Sequence, residues 1–143
     1  MITETDQKLI ELLQVDARAP VSELARKLGV SRTTVQARLD RLEHSGVIKG
    51  YTLRLDDERL KNKIRALVTI KVETGKAVGV IAQLKKMREI DSLHSVSGRY
   101  DFVAIVSGDT PETVDLVLDR FWEIDGILNT ESALILSTKL DRR

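Results

Sequence analysis

Cysteine is absent from this 143-residue chain, and aromatic residues, proline and net charge are all scarce. Without thiols the chain has no disulfides, no thiolate metal ligands and no cysteine nucleophile. No apolar run approaches the length that a membrane-spanning helix needs. The acidic opening, residues 1–6, lacks the apolar core of a secretory signal, so we expect the protein in the cytoplasm.

Motifs that carry catalysis are also missing. The chain has no glycine-rich phosphate loop, no nucleophile elbow and no helix with two histidines at metal-ligand spacing. Its two histidines, His44 and His94, are isolated, which favours a structural or surface role over metal binding. We therefore predict that the protein is not an enzyme and has no catalytic residue, no metal site and no cofactor.

The composition that is present is typical of a folded protein, with 42% hydrophobic and 31% charged residues. Two small domains of this length would each have a thin core, which predicts self-association. The net charge is only +1, but basic residues concentrate between positions 18 and 41. Six basic residues stand there against two acidic ones, a local excess suited to DNA phosphates.

The first half of the chain is predicted to form three helices. Thr3 and Asp6 suit a capping arrangement at the start of the first helix. The second helix spans about Val21–Leu28, and Gly29 suits the left-handed turn after it. Ser31 is a good cap for a third helix, whose buried stripe at helical spacing is Val35, Leu39 and Leu42.

Two short helices joined by a turn and followed by strand material are typical of a winged helix-turn-helix domain. The alternation over residues 47–55 predicts the wing, with a turn at Lys49-Gly50. Such a domain projects the N-terminal residues of its third helix into the major groove of DNA. The candidate DNA-binding residues are Ser31, Arg32, Thr33, Thr34, Gln36, Arg38 and Arg41.

The DNA-binding candidates divide into two predicted roles. Arg32 and Gln36 are four residues apart and share one helix face, so they are the best candidates for reading bases. Arg38 and Arg41 are assigned to phosphate contacts. The alternative is a three-helix bundle with a solvated charged face, and the strand material after the helices favours DNA binding.

The second half of the chain has a different pattern. Residues 56–63 are charged with one apolar member and are predicted to be a linker. Strands are then expected at 64–72, 93–96, 100–107 and 127–136, with helices at 77–87 and 109–125. This order is the ferredoxin-like βαββαβ pattern. The predicted fold class is α+β, with a winged helix-turn-helix domain at 1–55 and a ferredoxin-like domain at 64–143.

Several stretches of the chain resemble the Lrp/AsnC (feast/famine) transcriptional regulators. Residues 31–48, SRTTVQARLDRLEHSGVI, are similar to the recognition-helix signature of that family, and residues 2–13 are similar to its opening helix. Residues 97–101, Ser-Gly-Arg-Tyr-Asp, match its glycine-x-tyrosine/phenylalanine-aspartate hairpin. The resemblance covers essentially the whole chain.

The resemblance implies an assembly and a ligand. Members of the family dimerise through the second domain, often assemble further into tetramers or octamers, and often bind amino acids between dimers. The matching effector positions here are Gly98, Arg99, Tyr100, Asp101, Thr130 and Ser132. An amino acid needs acceptors for its ammonium group and donors for its carboxylate. Asp101 suits the first role, and Arg99, backbone amides or the hydroxyls suit the second.

The prediction is therefore a sequence-specific, DNA-binding transcriptional regulator whose DNA binding or assembly responds to a small molecule, with an amino acid as the expected effector. The expected partners are double-stranded DNA, the effector and further copies of the chain, with no membrane. Two alternatives stay open. One is an architectural DNA-binding protein without an effector, in which Gly98 and Arg99 form only a hairpin turn. The other is a sirohaem decarboxylase, an enzyme class similar to this family in fold, which needs basic and histidine side chains to converge on the second domain.

Overall fold

Three helices make up the first unit of the chain, Met1–Arg54. Their bounds are Glu4–Val15 for α1, Val21–Leu28 for α2 and Arg32–His44 for α3. The structure is a computed structural model, and it describes residues 1–56 and 63–142. Most of the predicted linker, residues 57–62, lies outside the described residues, so the linker stays a prediction.

Local chemistry sets where these helices begin and end. Thr3 and Asp6 form a capping box: the Asp6 N–H donates to Thr3 Oγ1 at 3.2 Å, and the Thr3 N–H donates to the Asp6 carboxylate at 2.8 Å. Gly29 ends α2 with φ +68, a conformation that favours glycine. Ser31 caps α3 by accepting a hydrogen bond from the Thr34 N–H at 3.1 Å. The predicted caps and turn are confirmed.

The apolar stripes of the three helices meet in one small core. Leu9 and Val35 are completely buried, and Leu24 is nearly so. The buried members of the core are Leu9, Leu24, Ala25, Val35, Leu39 and Leu42. Because α3 turns its apolar stripe toward α1 and α2, its opposite side carries the polar residues outward.

The predicted wing is wrong for the residues that the structure describes. Residues 47–55 form no strand there, and Lys49 and Gly50 form no turn; the chain turns instead at Ser45-Gly46, where Gly46 has φ +76. The alternation of Tyr51, Leu53 and Leu55 has no partner strand within the described chain, and a strand without a partner is not stable on its own. All three side chains are exposed.

The second unit, Leu55–Arg143, has the predicted βαββαβ order. Its elements are β1 Ile64–Val72, α4 Ala77–Leu84, β2 Ile90–Ser95, β3 Phe102–Gly108, α5 Pro111–Trp122 and β4 Ile127–Ile135. The four strands form an antiparallel sheet in the order β2-β3-β1-β4. The ferredoxin-like prediction is confirmed. α4 ends at Leu84, three residues before the predicted end, although Met87 still packs into the core.

The sheet has one covered face and one open face. Alternate residues of β1, among them Val68 and Ile70, are completely buried with side chains of α4 and α5 in a single core. Leu67 points to the other face together with its cross-strand partners Ile105 and Ala133. Leu67 is 38% exposed, since α4 and α5 both pack on the other face of the sheet.

Candidate nucleic-acid interface and ligand site

The N-terminal end of α3 has the exposure that DNA reading requires. Val35 and Leu39 fix the helix in the core, whereas Arg32, Thr33 and Gln36 are exposed. An exposed helix end of this kind fits the width of a DNA major groove. The predicted geometry of α3, buried on one side and open at its tip, is present in the structure.

Residues at this tip differ in how free their side chains are. Ser31 and Thr34 are occupied by capping, and their hydroxyl oxygens lie 2.8 Å apart. Gln36 Nε2 donates to Asp40 Oδ1 at 2.9 Å, which orients the amide along the helix surface. Arg32 makes no hydrogen bond or ion pair with any residue of the described ranges. Arg32 is therefore the side chain most available to a base edge.

Arg38 and Arg41, predicted to contact phosphates, also bind within the domain. Arg38 Nη1 donates to Asp6 Oδ1 at 2.9 Å and to Thr3 Oγ1 at 3.2 Å. Arg41 Nη2 lies 2.6 Å from both oxygens of the Asp6 carboxylate. The two arginines thus share one acidic partner on α1.

Asp6 joins the two arginines to α1, a contact that the sequence did not predict. Its side chain is completely buried, yet it is charged. Hydrogen bonds from Thr3, together with Arg38 and Arg41, hold the pKa of Asp6 well below its usual range, against the opposing effect of burial. The sequence predicted its cap with Thr3, but no local pattern links position 6 to positions 38 and 41.

The two arginines differ in exposure. The Arg38 side chain is 26% exposed, and its Nε is buried without a hydrogen-bond partner among the described residues. The Arg41 side chain is 52% exposed. Arg41 therefore keeps donors at the surface for an external phosphate, whereas Arg38 mainly joins α3 to α1.

In the second unit, the predicted hairpin precedes β3. Gly98 has φ +109, a conformation that L side chains rarely adopt. Asp101 accepts a hydrogen bond from the Val72 N–H at 2.8 Å and lies 3.6 Å from Lys71 Nζ. The Asp101 carboxylate therefore ties the hairpin to the end of β1, and its side chain remains 40% exposed.

Arg99 and Tyr100 form the other side of the hairpin. The Arg99 guanidinium lies over the Tyr100 ring, 5.7 Å from its centroid. The Tyr100 hydroxyl is buried and lacks a hydrogen bond of good geometry within the described chain. Glu131 and Thr69 nevertheless lie beside it, and the Glu131 carboxylate together with burial raises the pKa of the Tyr100 phenol.

Thr130 and Ser132 do not join this group within one chain. They pair with Ile70 and Val68, whose side chains lie on the helix-covered face of the sheet. Glu131, between them, pairs with Thr69 on the open face, where the Tyr100 hydroxyl lies. Thr130 and Ser132 therefore lie on the face of β4 opposite to the Tyr100 hydroxyl.

A groove of about 600 Å³ lies between α4 and α5. Its lining includes Gln83, Lys86, Arg120 and Glu123. None of the predicted effector residues lines it. In the ranges that the structure covers, no three metal-ligating side chains cluster, and no helix is long and apolar enough to cross a membrane.

Comparison with known proteins matches both units. Residues 2–43 match the AsnC-type helix-turn-helix domain, and residues 65–143 match the Lrp/AsnC ligand binding domain. The HTH-type transcriptional regulator FL11 of Pyrococcus horikoshii is 33% identical, over 96% of this chain and 91% of that protein. The HTH-type transcriptional regulator LrpA of the same organism is 32% identical, over 95% of this chain and 97% of its own length.

A solved structure is similar over the full length. The feast or famine regulatory protein from M. tuberculosis complexed with L-methionine has a TM-score of 0.88 and 30% identity, and the match covers 100% of this chain and 97% of that one. The fold and the order of the two units agree with these matches. The chain belongs to the Lrp/AsnC family of transcriptional regulators.

Proposed function

We propose that this regulator reads double-stranded DNA with the tip of α3 and that an amino acid bound to the second unit changes its DNA binding or assembly. The observation that carries the first part is the exposed Arg32, which has no partner among the described residues, at the end of a helix held in place by Val35 and Leu39. A rigid helix with a free arginine at its tip suits bidentate contact with guanine.

We assign the contacts according to whether each side chain is already bound within the domain. Arg32 and Gln36 read bases, and Thr33 and Arg41 contact phosphates. Ser31 and Thr34 hold the helix end while their hydroxyls face the backbone of the DNA. Arg38 contributes mainly by fixing α3 against α1. The proposed role of Arg38 is therefore structural, whereas the sequence predicts a phosphate contact.

A second copy of the chain completes the DNA-binding assembly. Two recognition helices are needed to grip two half-sites. We place the dimer contact on the open sheet face, because it presents Leu67 with the apolar partners Ile105 and Ala133 and neither α4 nor α5 covers it. We propose further assembly into tetramers or octamers, as the family resemblance implies. Because its target is DNA, we place the protein in the cytoplasm.

The effector site is proposed at the hairpin. L-methionine is the ligand of the similar M. tuberculosis protein, and an amino acid offers a cation and an anion together. Asp101 supplies an acceptor, and Arg99 supplies donors. Because Thr130 and Ser132 lie on the other face of β4, one chain does not enclose a ligand with all six residues. A site where copies meet would bring both groups to the ligand.

The comparisons do not favour either alternative. The relatives are named transcriptional regulators, which supports a role without catalysis. A tetrapyrrole enzyme would need histidine and basic side chains converging on the second unit, where His94 is exposed and is the only histidine. An architectural protein without effector differs from the proposal in one respect only, which is its response to small molecules.

Gel-shift titration tests the proposal. The purified protein is titrated against duplexes from its own promoter region at stated salt, with and without a panel of amino acids. We expect binding to the duplex and a change in affinity or assembly with at least one amino acid. Absence of duplex binding contradicts the proposed function, and binding that no amino acid alters supports the architectural alternative.

A further inference from the structure

The buried contact between α1 and α3 has a consequence for DNA binding. We propose that Asp6 is a positioning residue of the nucleic-acid interface, which fixes Arg41 on the DNA-facing surface and cancels one of the two arginine charges there. The proposal rests on the DNA binding proposed above. Asp6 itself is buried and does not touch DNA.

The geometry saturates the Asp6 carboxylate. It accepts four hydrogen bonds, one from the Thr3 N–H, one from Arg38 and two from Arg41. An ionised carboxylate offers about four lone-pair sites, so no acceptor capacity is left for solvent. The carboxylate therefore has one set of partners and one orientation.

The fixed carboxylate in turn fixes Arg41. Arg41 Nη2 is bound at 2.6 Å to both carboxylate oxygens, whereas its Nη1 and Nε bond to no residue of the described ranges. The remaining N–H donors of the planar guanidinium are consequently held in one orientation on a half-exposed side chain. A phosphate can accept hydrogen bonds from them only if it lies along that orientation.

The charge of this group is lower than its two arginines suggest. Two guanidiniums and one carboxylate leave a net charge of +1 next to the recognition helix. Attraction to DNA of any sequence depends on the positive charge that replaces condensed counterions. Asp6 thus weakens binding to arbitrary DNA, while a fixed Arg41 retains its contact at a correctly placed phosphate.

Charge variants separate positioning from simple stability. Asp6→Asn raises the net charge of the group to +2, and Arg41→Gln lowers it to zero. The double variant Asp6→Asn with Arg41→Gln returns it to +1. Asp119→Asn is the matched control, because it makes the same chemical change at an exposed position on α5.

The measurement is the salt dependence of binding to a duplex of random sequence and to a duplex selected by the wild-type protein, for variants whose fold is verified by circular dichroism. We expect the logarithmic salt slope of Asp6→Asn on random DNA to be steeper by about 0.9. Its affinity relative to wild type should then grow about threefold when salt falls from about 200 mM to about 50 mM. The ratio of selected to random affinity should fall, and Asp119→Asn should leave slope and ratio unchanged.

The outcomes distinguish this proposal from the proposed function. If the wild-type protein binds no duplex, the DNA-binding function itself fails. If the wild type binds and folded Asp6→Asn has an unchanged or smaller slope, the charge cancellation is overturned, and if the ratio of selected to random affinity is unchanged, the positioning role is overturned. Should Asp6→Asn not fold, the double variant decides: a slope restored from the Arg41→Gln value to the wild-type value supports the role, and a slope equal to that of Arg41→Gln overturns it.

Discussion

The helix-turn-helix end of α3 and the hairpin before β3 are both candidate binding sites, but they are built differently. The α3 tip consists of consecutive residues on one rigid helix, with Val35 and Leu39 holding it from below. The effector candidates come from the loop before β3 and from β4, and Thr130 and Ser132 lie on the face of β4 opposite to the Tyr100 hydroxyl. The α3 tip is therefore formed by one element, whereas a single chain does not bring all the effector candidates together.

Loss of core packing should have the largest effect and should separate the two units. Leu24→Ala removes a buried side chain between α2 and α3, which should cost about 2–5 kcal/mol of unfolding free energy. Trp122, the only tryptophan, lies in the second unit and reports on that unit alone. When unfolding of Leu24→Ala is followed by circular dichroism, the first unit should unfold at a lower denaturant concentration than in the wild type.

The tryptophan fluorescence transition of Leu24→Ala should stay at the wild-type midpoint. A shift of both transitions together would show that the two units unfold as one. In that case the first unit would not be a separate folding unit.

Removal of Arg32 should have the next largest effect, on discrimination and not on stability. Arg32→Ala should reduce the preference for a selected duplex over random DNA by about 1–3 kcal/mol, the value of one bidentate base contact. Arg26→Ala on α2 is the control, since it removes the same exposed charge outside the α3 tip. Competition binding measures both, and equal losses in the two variants would remove Arg32 from base reading.

Low pH should reduce the unfolding free energy of the first unit, because it protonates Asp6. Because the pKa of folded Asp6 is depressed, its stabilisation is present above the unfolded value of about 4 and is lost as pH falls toward the folded value. One such group changes unfolding free energy by at most about 1.4 kcal/mol per pH unit. Urea unfolding between pH 5 and pH 2 should show this loss in wild type and less of it in Asp6→Asn; parallel curves would contradict it.

The hairpin should give the smallest effect on stability. Gly98→Ala should cost about 1 kcal/mol, because φ is +109 while no atom crowds the added methyl group. Gly79→Ala on α4 is the control: it also meets no neighbour, has no positive φ, and should be neutral or stabilising. Calorimetric melting temperatures compare them, and equal shifts would show that the hairpin backbone is not strained by a side chain.

The sequence pattern correctly predicted features that depend only on residues close together in the chain. The stripe of Val35, Leu39 and Leu42 and the cap at Ser31 are local features, and all are present. The alternation over residues 47–55 failed as a predictor, because a strand needs a partner that the pattern does not supply.

Two features of the sites depended on tertiary packing. The pairing of Asp6 with Arg41 joins residues 35 positions apart and arises only when α1 packs on α3. The separation of Thr130 and Ser132 from Tyr100 follows from strand register, since neighbours in a strand point to opposite faces. Neither is visible in residue type or spacing alone.

The absence of cysteine allows a direct test of where α3 lies on DNA. Thr33→Cys would introduce a single thiol at the exposed α3 tip, and a tethered iron chelate there cleaves DNA within its short reach. The control is Asp119→Cys on α5 in the second unit. We predict cleavage confined to two half-sites from position 33 and little from position 119. Equal cleavage from both, or none from position 33 in a bound complex, would contradict DNA reading by the tip of α3.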